Sequence, residues 1–593
     1  MLFLVVAFAG LGGFMFGYDL GVIAGALLYM GLRDADASLV VAAAKFGAVC
    51  GTFVGGALMQ EFGRRPAMAC TGVFFLLGPL AMASASAASI PALVVGRLLV
   101  GLGVGASAVV VPAYAAEMAP AERRGAVVVV YELMLCFGMI AASLADFALR
   151  DARENWRWML ALPAVPAVAV LCSFAILPES PRWLVRRGRL RDALAVIESL
   201  REGTKRRRGG GDPAEMERRL DASTARVEAE LMELWSASEK EAATTSGIAR
   251  DPESTSLRGG AVEMVDRDGG VGDPRGAALD DDPGGGARGA LDDEDPGGPP
   301  LVVVVSEKSS PLRSLALHFR RFASSLRSVL RDSLRVSRDP RSRRAFRVAS
   351  TLAFFNQACA STAVINYAPT ILERAGTADR GDAVFFASGV SLAKLVGVGC
   401  GVVLVDALGR RPLLIYGSVF GAASLLVLAV AYESSEDAAF ASLLAMCSFM
   451  LAFSVSWAGV FWVVVAELFD ATHHAAATSA TLAWMFFVGA AVDAAFLPAA
   501  DALGGGVVFA ALAAVLALGG AYAWAELPET KGKTLAEVHA EMAREDRDEN
   551  WGGRFRGGWF VRGAGGYDEQ ADEETSADGA DTTPNVTNEG GGG

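Results

Sequence analysis

Apolar runs of close to 20 residues alternate with short polar punctuation along most of this chain, and about 20 residues is the length an α-helix needs to cross a bilayer. The runs fall at about 2–28, 39–59, 67–88, 92–116, 126–148 and 157–177, then at 346–373, 383–405, 412–432, 438–466, 475–500 and 505–527. The pattern predicts an all-α integral membrane protein with twelve transmembrane helices, six on each side of a long hydrophilic stretch. Composition agrees, since 53% apolar and only 20% charged residues with a mean hydropathy of +0.37 are too oily for a soluble globule of 593 residues.

The punctuation repeats. GRRP occurs at Gly63 and Gly409, a run ending in an acid at AAEM (Glu117) and VAEL (Glu467), and PES at Pro178 is answered by PET at Pro528, at offsets of 346, 350 and 350 residues. Near-constant offsets imply a duplicated six-span unit in one orientation, because an even number of crossings returns the chain to its starting side. One bundle is expected over 1–187 and the other over 346–535. Arg64, Arg65, Arg123, Arg124, Arg182, Arg186, Arg187, Arg410, Arg411, Lys531 and Lys533 share one side, which the positive-inside rule makes the cytosol, with both termini there.

The segment 188–345 is expected to be a cytosolic loop, disordered over 205–309, where Gly, Pro, Ser and Asp dominate. Its last part, about 310–345, carries ten arginines against two aspartates with interleaved Leu, Phe and Val. It suits either a helix on an anionic leaflet or a solvated basic linker. The tail, 536–593, is acidic and Gly-rich, and with the middle segment it accounts for the net charge of −13. The seven cysteines lie in or beside the spans without metal-ligand spacing, so neither a disulfide framework nor a zinc site is indicated. No cleavable signal with a basic n-region opens the chain; it either starts with hardly any cytosolic arm or lacks an amino-terminal extension. HExxH, nucleophile-elbow and Walker patterns are missing, so an enzyme is not expected, nor is a cofactor.

GYDLGVIAG, EFGRRPAM, GRLLVGLGVGASAVVVPAYAAEMAPAERRG, PESPRWLVRRGR, DALGRRPLL and ELPETKGKTL, in this order, resemble the sugar porters of the major facilitator superfamily. The resemblance covers both halves. It implies two six-helix bundles around a midplane monosaccharide site, opened alternately to either side. Glu132, where a glutamine is usual, and Lys394, where an asparagine is common, are similar to the plant vacuolar and plastid glucose and xylose–proton symporter-like branch.

A lone carboxylate inside a span costs about 2.5–3.5 kcal/mol on insertion scales, so Asp19 in the first span needs a partner. The resemblance pairs it with Arg97 of the fourth. Beside a guanidinium an Asp stays ionised, and parted from it in a low-dielectric cavity it takes up a proton; alternating access would then carry a proton per cycle, making the protein a sugar:proton symporter. The competing reading is a permanent bridge that fixes helix packing. Glu132 and Lys394, from opposite halves, are counter-ions across the site, or Glu132 accepts from a sugar hydroxyl. Lys45 in the second span is either an unexplained charge or a snorkelling side chain.

Neutral sugars are held by amides, hydroxyls and aromatic walls. In FFNQACASTAVINYAPT the candidates are Asn356, Gln357, Thr362, Asn366 and Tyr367, of which Gln357 and Tyr367 match the family pattern. Trp462 is placed against the sugar face by the resemblance, although Ala458-Gly459 replaces the usual Gly-Pro and Ala483 replaces an asparagine beside Trp484. Packing or lipid contact is the plain alternative for both tryptophans. At the cytosolic ends, Arg64, Arg65, Glu117, Arg124 and Glu179, with Arg410, Arg411, Glu467 and Glu529, resemble the family's inner charge network, which closes the outward-open state. His474 and Asp470 depart from it and suggest a weaker or pH-sensitive latch in the second half. The partners implied are a small sugar, a proton and the lipid bilayer of a plasma, vacuolar or plastid membrane. A uniporter, a polyol carrier and a non-transporting sugar sensor are the rival readings.

Overall fold

The computed structural model describes residues 2–86, 89–119, 124–205, 311–336, 340–377, 379–433, 438–469 and 474–533, with Met232, Ser236, Glu537 and Val538. Apart from those single residues and Lys205, which closes the helix Leu190–Lys205, the segment 205–309 expected to be disordered and the tail lie outside the described residues, as do Asp470 and the side chains of Arg124 and His474.

Among the described residues twelve helical spans are long and apolar enough to cross a membrane: Leu4–Met30, Asp34–Glu61, Arg64–Ser84, Ile90–Met118, Val129–Leu149 and Asn155–Ile176, then Ser342–Asn366, Arg380–Leu408, Arg410–Glu433, Ala438–Val465, Ala476–Leu503 and Gly505–Glu526. They are called the first to twelfth spans below. Their packing is repeated. In the first half the second and fourth spans pack together, as do the third and fourth and the third and sixth; in the second half the eighth pairs with the tenth, the ninth with the tenth and the ninth with the twelfth. The halves meet at the centre, first span against seventh, and along two edges, second span against eleventh and fifth against eighth, which the duplication interconverts.

Glycines set the closest approaches. Gly13, Gly17, Gly21 and Gly25 run down one face of the first span, and a Cβ on Gly17 would lie 1.8 Å from the Leu135 carbonyl oxygen. Four-residue spacing keeps small residues on one helix face. The first and fifth spans therefore touch backbone to backbone.

Among the described residues three spans are not regular, the sixth breaking between Asn155–Ala161 and Ala164–Ile176. The seventh breaks between Pro340–Ala358 and Ser361–Asn366, with Ala360 in the left-handed region at φ 57°. Irregular backbone at membrane depth survives where protein or a polar cavity surrounds it. The tenth contains a π-helical turn, Ser454–Ala458, at the position where Gly-Pro was absent. There Trp457 is fully buried and its indole Nε1 donates to Ser418 Oγ at 2.9 Å.

The basic segment before the seventh span forms a helix, Pro311–Val336. It straddles both halves on the arginine-rich face: Ser333 Oγ donates to the Ala476 carbonyl at 3.1 Å, and Ser328 Oγ lies 3.5 Å from Gln60 Oε1. Its own Val329 and Val336 are buried.

Candidate functional site

Asp19 and Arg97 meet. The guanidinium donates to Asp19 Oδ1 and, through Nε, to the Val40 carbonyl at 3.3 Å. Both residues are buried, Arg97 to 1% exposure.

On the other side of the centre stands a pair not anticipated from the sequence. Lys45 does not snorkel: it crosses from the second span to the eleventh and binds Asp493 Oδ2 at 2.9 Å. Its ammonium also donates to Thr362 Oγ1 at 2.5 Å, the Gly489 carbonyl at 3.3 Å and Gln357 Oε1 at 3.4 Å. Lys45 thus occupies the polar groups that sequence reasoning reserved for a sugar. The same carboxylate accepts from Asn366 Nδ2 at 3.1 Å, while Tyr367 Oη donates to the Asp493 carbonyl at 3.1 Å. Asn356 Nδ2 donates to the Trp457 carbonyl at 3.2 Å and its Oδ1 accepts from Gln357 Nε2 at 3.0 Å.

The seventh-span candidates, Asn356, Gln357, Thr362, Asn366 and Tyr367, therefore converge on one cluster, and Lys45 and Asp493 complete it. Asp493 had a legible signal, an acid in the apolar run AAVDAAF, of the kind that drew attention to Asp19. Asp146 in SLADFAL carried the same signal. Glu132 and Lys394 interact electrostatically across the halves, yet no ion pair within 4.0 Å joins them among the described residues. Trp462 is half-buried against Phe461, ring centroids 5.6 Å apart. Trp484 is 41% exposed, donates to the Ser350 carbonyl at 3.1 Å and stacks on Phe487.

The two signature turns build the same cluster twice. Arg64 Nη2 binds Glu117 Oε1 at 2.7 Å, Ser180 Oγ donates to Glu117 Oε2 at 2.5 Å, and Glu179 accepts the backbone amides of Arg64 and Arg65 at 2.8 and 3.2 Å. In the second half Arg410 binds Glu467 at 2.9 Å, Thr530 Oγ1 donates to Glu467 at 2.6 Å, and Glu529 accepts the amides of Arg410 and Arg411 at 3.1 and 3.0 Å. Arg65 and Arg411 turn aside to the Phe174 and Trp524 carbonyls. Each cluster closes on its own half. Burial raises the Glu179 carboxyl above the ordinary carboxylate range, against the amides of Ser180, Arg64 and Arg65 that favour its ionised form.

On the opposite face Arg374, after the seventh span, binds Asp34 of the second span and Asp501 Oδ1 of the eleventh, the latter at 3.0 Å. That tie joins the halves. The face away from the arginines is therefore shut, with Lys45–Asp493 beneath it.

A family model for sugar (and other) transporters matches residues 5–249 and 323–542. The chain belongs to that family. Among its sugar-transporter relatives, the glucose transporter GlcP of Staphylococcus epidermidis is 26% identical over 91% of this chain and 97% of its own length. The probable metabolite transport protein CsbC of Bacillus subtilis is 27% identical over 91% and 95%. A shorter match, 40% identical, covers 32% of this chain and 34% of inositol transporter 4 of Arabidopsis thaliana. The fold is that of the xylose transporter XylE from E. coli, solved in a partially occluded inward open conformation: TM-score 0.63 and 21% identity, over 90% of this chain and 99% of that one. The family match and the twelve apolar helices make this an integral, multi-pass membrane protein, and its fold is that of a major facilitator superfamily transporter.

Proposed function

We propose that this transporter moves a monosaccharide by alternating access in symport with a proton, the buried Asp19–Arg97 pair being the coupling device. The observation that carries the reading is that pair, sealed beside a cluster of amides and hydroxyls. A relative at 36% identity over 33% of this chain is a D-xylose transporter of Levilactobacillus brevis, which favours a sugar as cargo.

In this reading Asn356, Gln357, Thr362, Asn366 and Tyr367 bind sugar, with Trp462 as a wall and Glu132 and Lys394 closing the cavity from either half. Lys45 holds the cluster while no sugar is present, and sugar hydroxyls compete for the same partners. Two buried acceptors, Asn366 Oδ1 and Asp493 Oδ1, have no hydrogen-bond partner among the described residues; hydroxyl donors would satisfy them. The clusters around Arg64, Arg65, Glu117, Arg124 and Glu179 and around Arg410, Arg411, Glu467 and Glu529 are the inner gate. Their face is cytosolic by the positive-inside rule, and the bundles are 1–187 and 346–535. Glu132 and Lys394 favour the plant vacuolar and plastid branch.

The gain from coupling is large. A potential of 100 mV is worth about 2.3 kcal/mol per charge moved, roughly a fiftyfold gradient of a neutral solute. The test is uptake into proteoliposomes under an imposed pH gradient, with glucose, xylose and myo-inositol. Wild type should accumulate one of these, and Asp19→Asn should exchange it without accumulation. Accumulation by Asp19→Asn would overturn the coupling assignment.

A further inference from the structure

The two edges that join the halves are related by duplication but are chemically unlike. The offsets that relate the signature turns carry Lys45 to Ser391 and Asp493 to Ser143. Where one edge holds an ion pair, the other therefore has two serines. Those serines line a cavity of about 10 Å³ between the fifth and eighth spans, room for about one water. Asp146, one turn beyond Ser143 toward the shut face, lines the same cavity with Gly25, Ala387 and Ile365.

Asp146 is completely buried; the Gly25 backbone lies against Oδ2, and neither carboxylate oxygen makes a hydrogen bond of normal geometry. Among the described residues, its titratable neighbours on the first span are Tyr18 and Tyr29. Just past the end of its own span Arg150, four residues on, is turned onto the Phe147 ring at 3.9 Å and onto Asp151 at 3.3 Å. On the eighth span Lys394, one turn deeper than Ser391, interacts with Glu132; the seventh-span wall, Ile365, Ala368 and Pro369, is apolar. Among the described residues no cation faces the group. A sealed, unpaired carboxylate is destabilised by several kcal/mol unless it is neutral.

We infer that Asp146 is a second proton-binding site, loaded from the aqueous phase of the face opposite the arginines as the fifth and eighth spans close. Hydronium in the open cleft gives its proton to Oδ2, water leaves, and the neutral acid is buried against Gly25. When the cleft opens, water returns and the acid ionises. The site is separate from Asp19, lies in the gate rather than the sugar cluster, and makes closure of that gate depend on the pH of that compartment.

The test uses Ala387→Cys as a reporter in the full-length protein, labelled by a membrane-impermeant thiol reagent from that side. Labelling rates are read as ratios to Asp146→Asn at each pH, which cancels thiol ionisation. With Asp146 present, the ratio should rise about tenfold from acid to alkaline pH, because the ionised acid holds the cleft open; with Asp146→Asn the cleft stays shut throughout. Asp19→Asn should lose accumulation in the uptake assay while the rise of the ratio with pH persists, so failure of the coupling reading is distinguishable from failure here. Infrared spectra of the protein with 13C-labelled aspartate should show a protonated carboxyl band that Asp146→Asn removes; should that variant not fold, Asp146→Ser serves in both comparisons. A pH-independent ratio, a band that survives the substitution, or labelling that follows sodium rather than pH would each overturn the proposal.

Discussion

At the residue scale, each charge inside the membrane has to be compensated. Asp19 has Arg97 and Lys45 has Asp493, both within hydrogen-bond reach. Removing one member of a buried pair leaves the other uncompensated, which costs about 3–5 kcal/mol, whereas replacing both by apolar residues is often neutral. Lys45→Met should therefore lower the melting temperature in detergent strongly, and Lys45→Met with Asp493→Leu should recover most of the loss; a double variant as unstable as the single one would show that the pair is not the unit. Glu179 predicts a pH effect. Its carboxyl titrates higher in the fold than in the unfolded chain, so the folded state binds the proton more tightly. That contribution to stability is full below the unfolded value and is lost as pH rises through the folded one. Glu179→Gln should flatten this part of a stability–pH profile measured by thermal unfolding.

At the element scale, helix contacts are fixed by what is missing from them. A methyl on Gly17 cannot fit 1.8 Å from a carbonyl oxygen, so Gly17→Ala must push the first and fifth spans apart. Overpacking typically costs 1–3 kcal/mol, and a contact with backbone should reach the upper end, read as a fall in thermal stability. Ala360 offers the opposite case: its left-handed backbone costs roughly 1–2 kcal/mol for a residue with a Cβ, so Ala360→Gly should stabilise. Apolar run length made the twelve spans legible, and the duplicated GRRP, AE and PE motifs marked the turns. The break at Ala360 and the π turn at Ser454–Ala458 were not legible as such. They depend on tertiary contacts, Trp457 with Ser418 and Asn356 with the Trp457 carbonyl, that leave no periodic trace. Asn356, Gln357 and Thr362 could be read as one polar set because they share a span. Their partner Lys45 could not, since it is 312 residues from Gln357 in the chain.

At the scale of the whole molecule, duplication supplies two bundles and divergence makes their meeting edges different. The edge between the second and eleventh spans carries the Lys45–Asp493 pair and, beside it, Phe46 against Phe487 with ring centroids 6.3 Å apart. If transport requires the bundles to rock, joining Phe46→Cys to Phe487→Cys by oxidation should abolish flux in proteoliposomes, and reductant should restore it. Undiminished flux in the oxidised protein would rule out movement at this edge. The glycine ladder of the first span has its own mechanical consequence. Helices in backbone contact have no side-chain cushion to compress. In the proposed cycle the first span therefore cannot shift alone: any tilt that begins at Asp19 carries the fifth span with it, as one stiff lever.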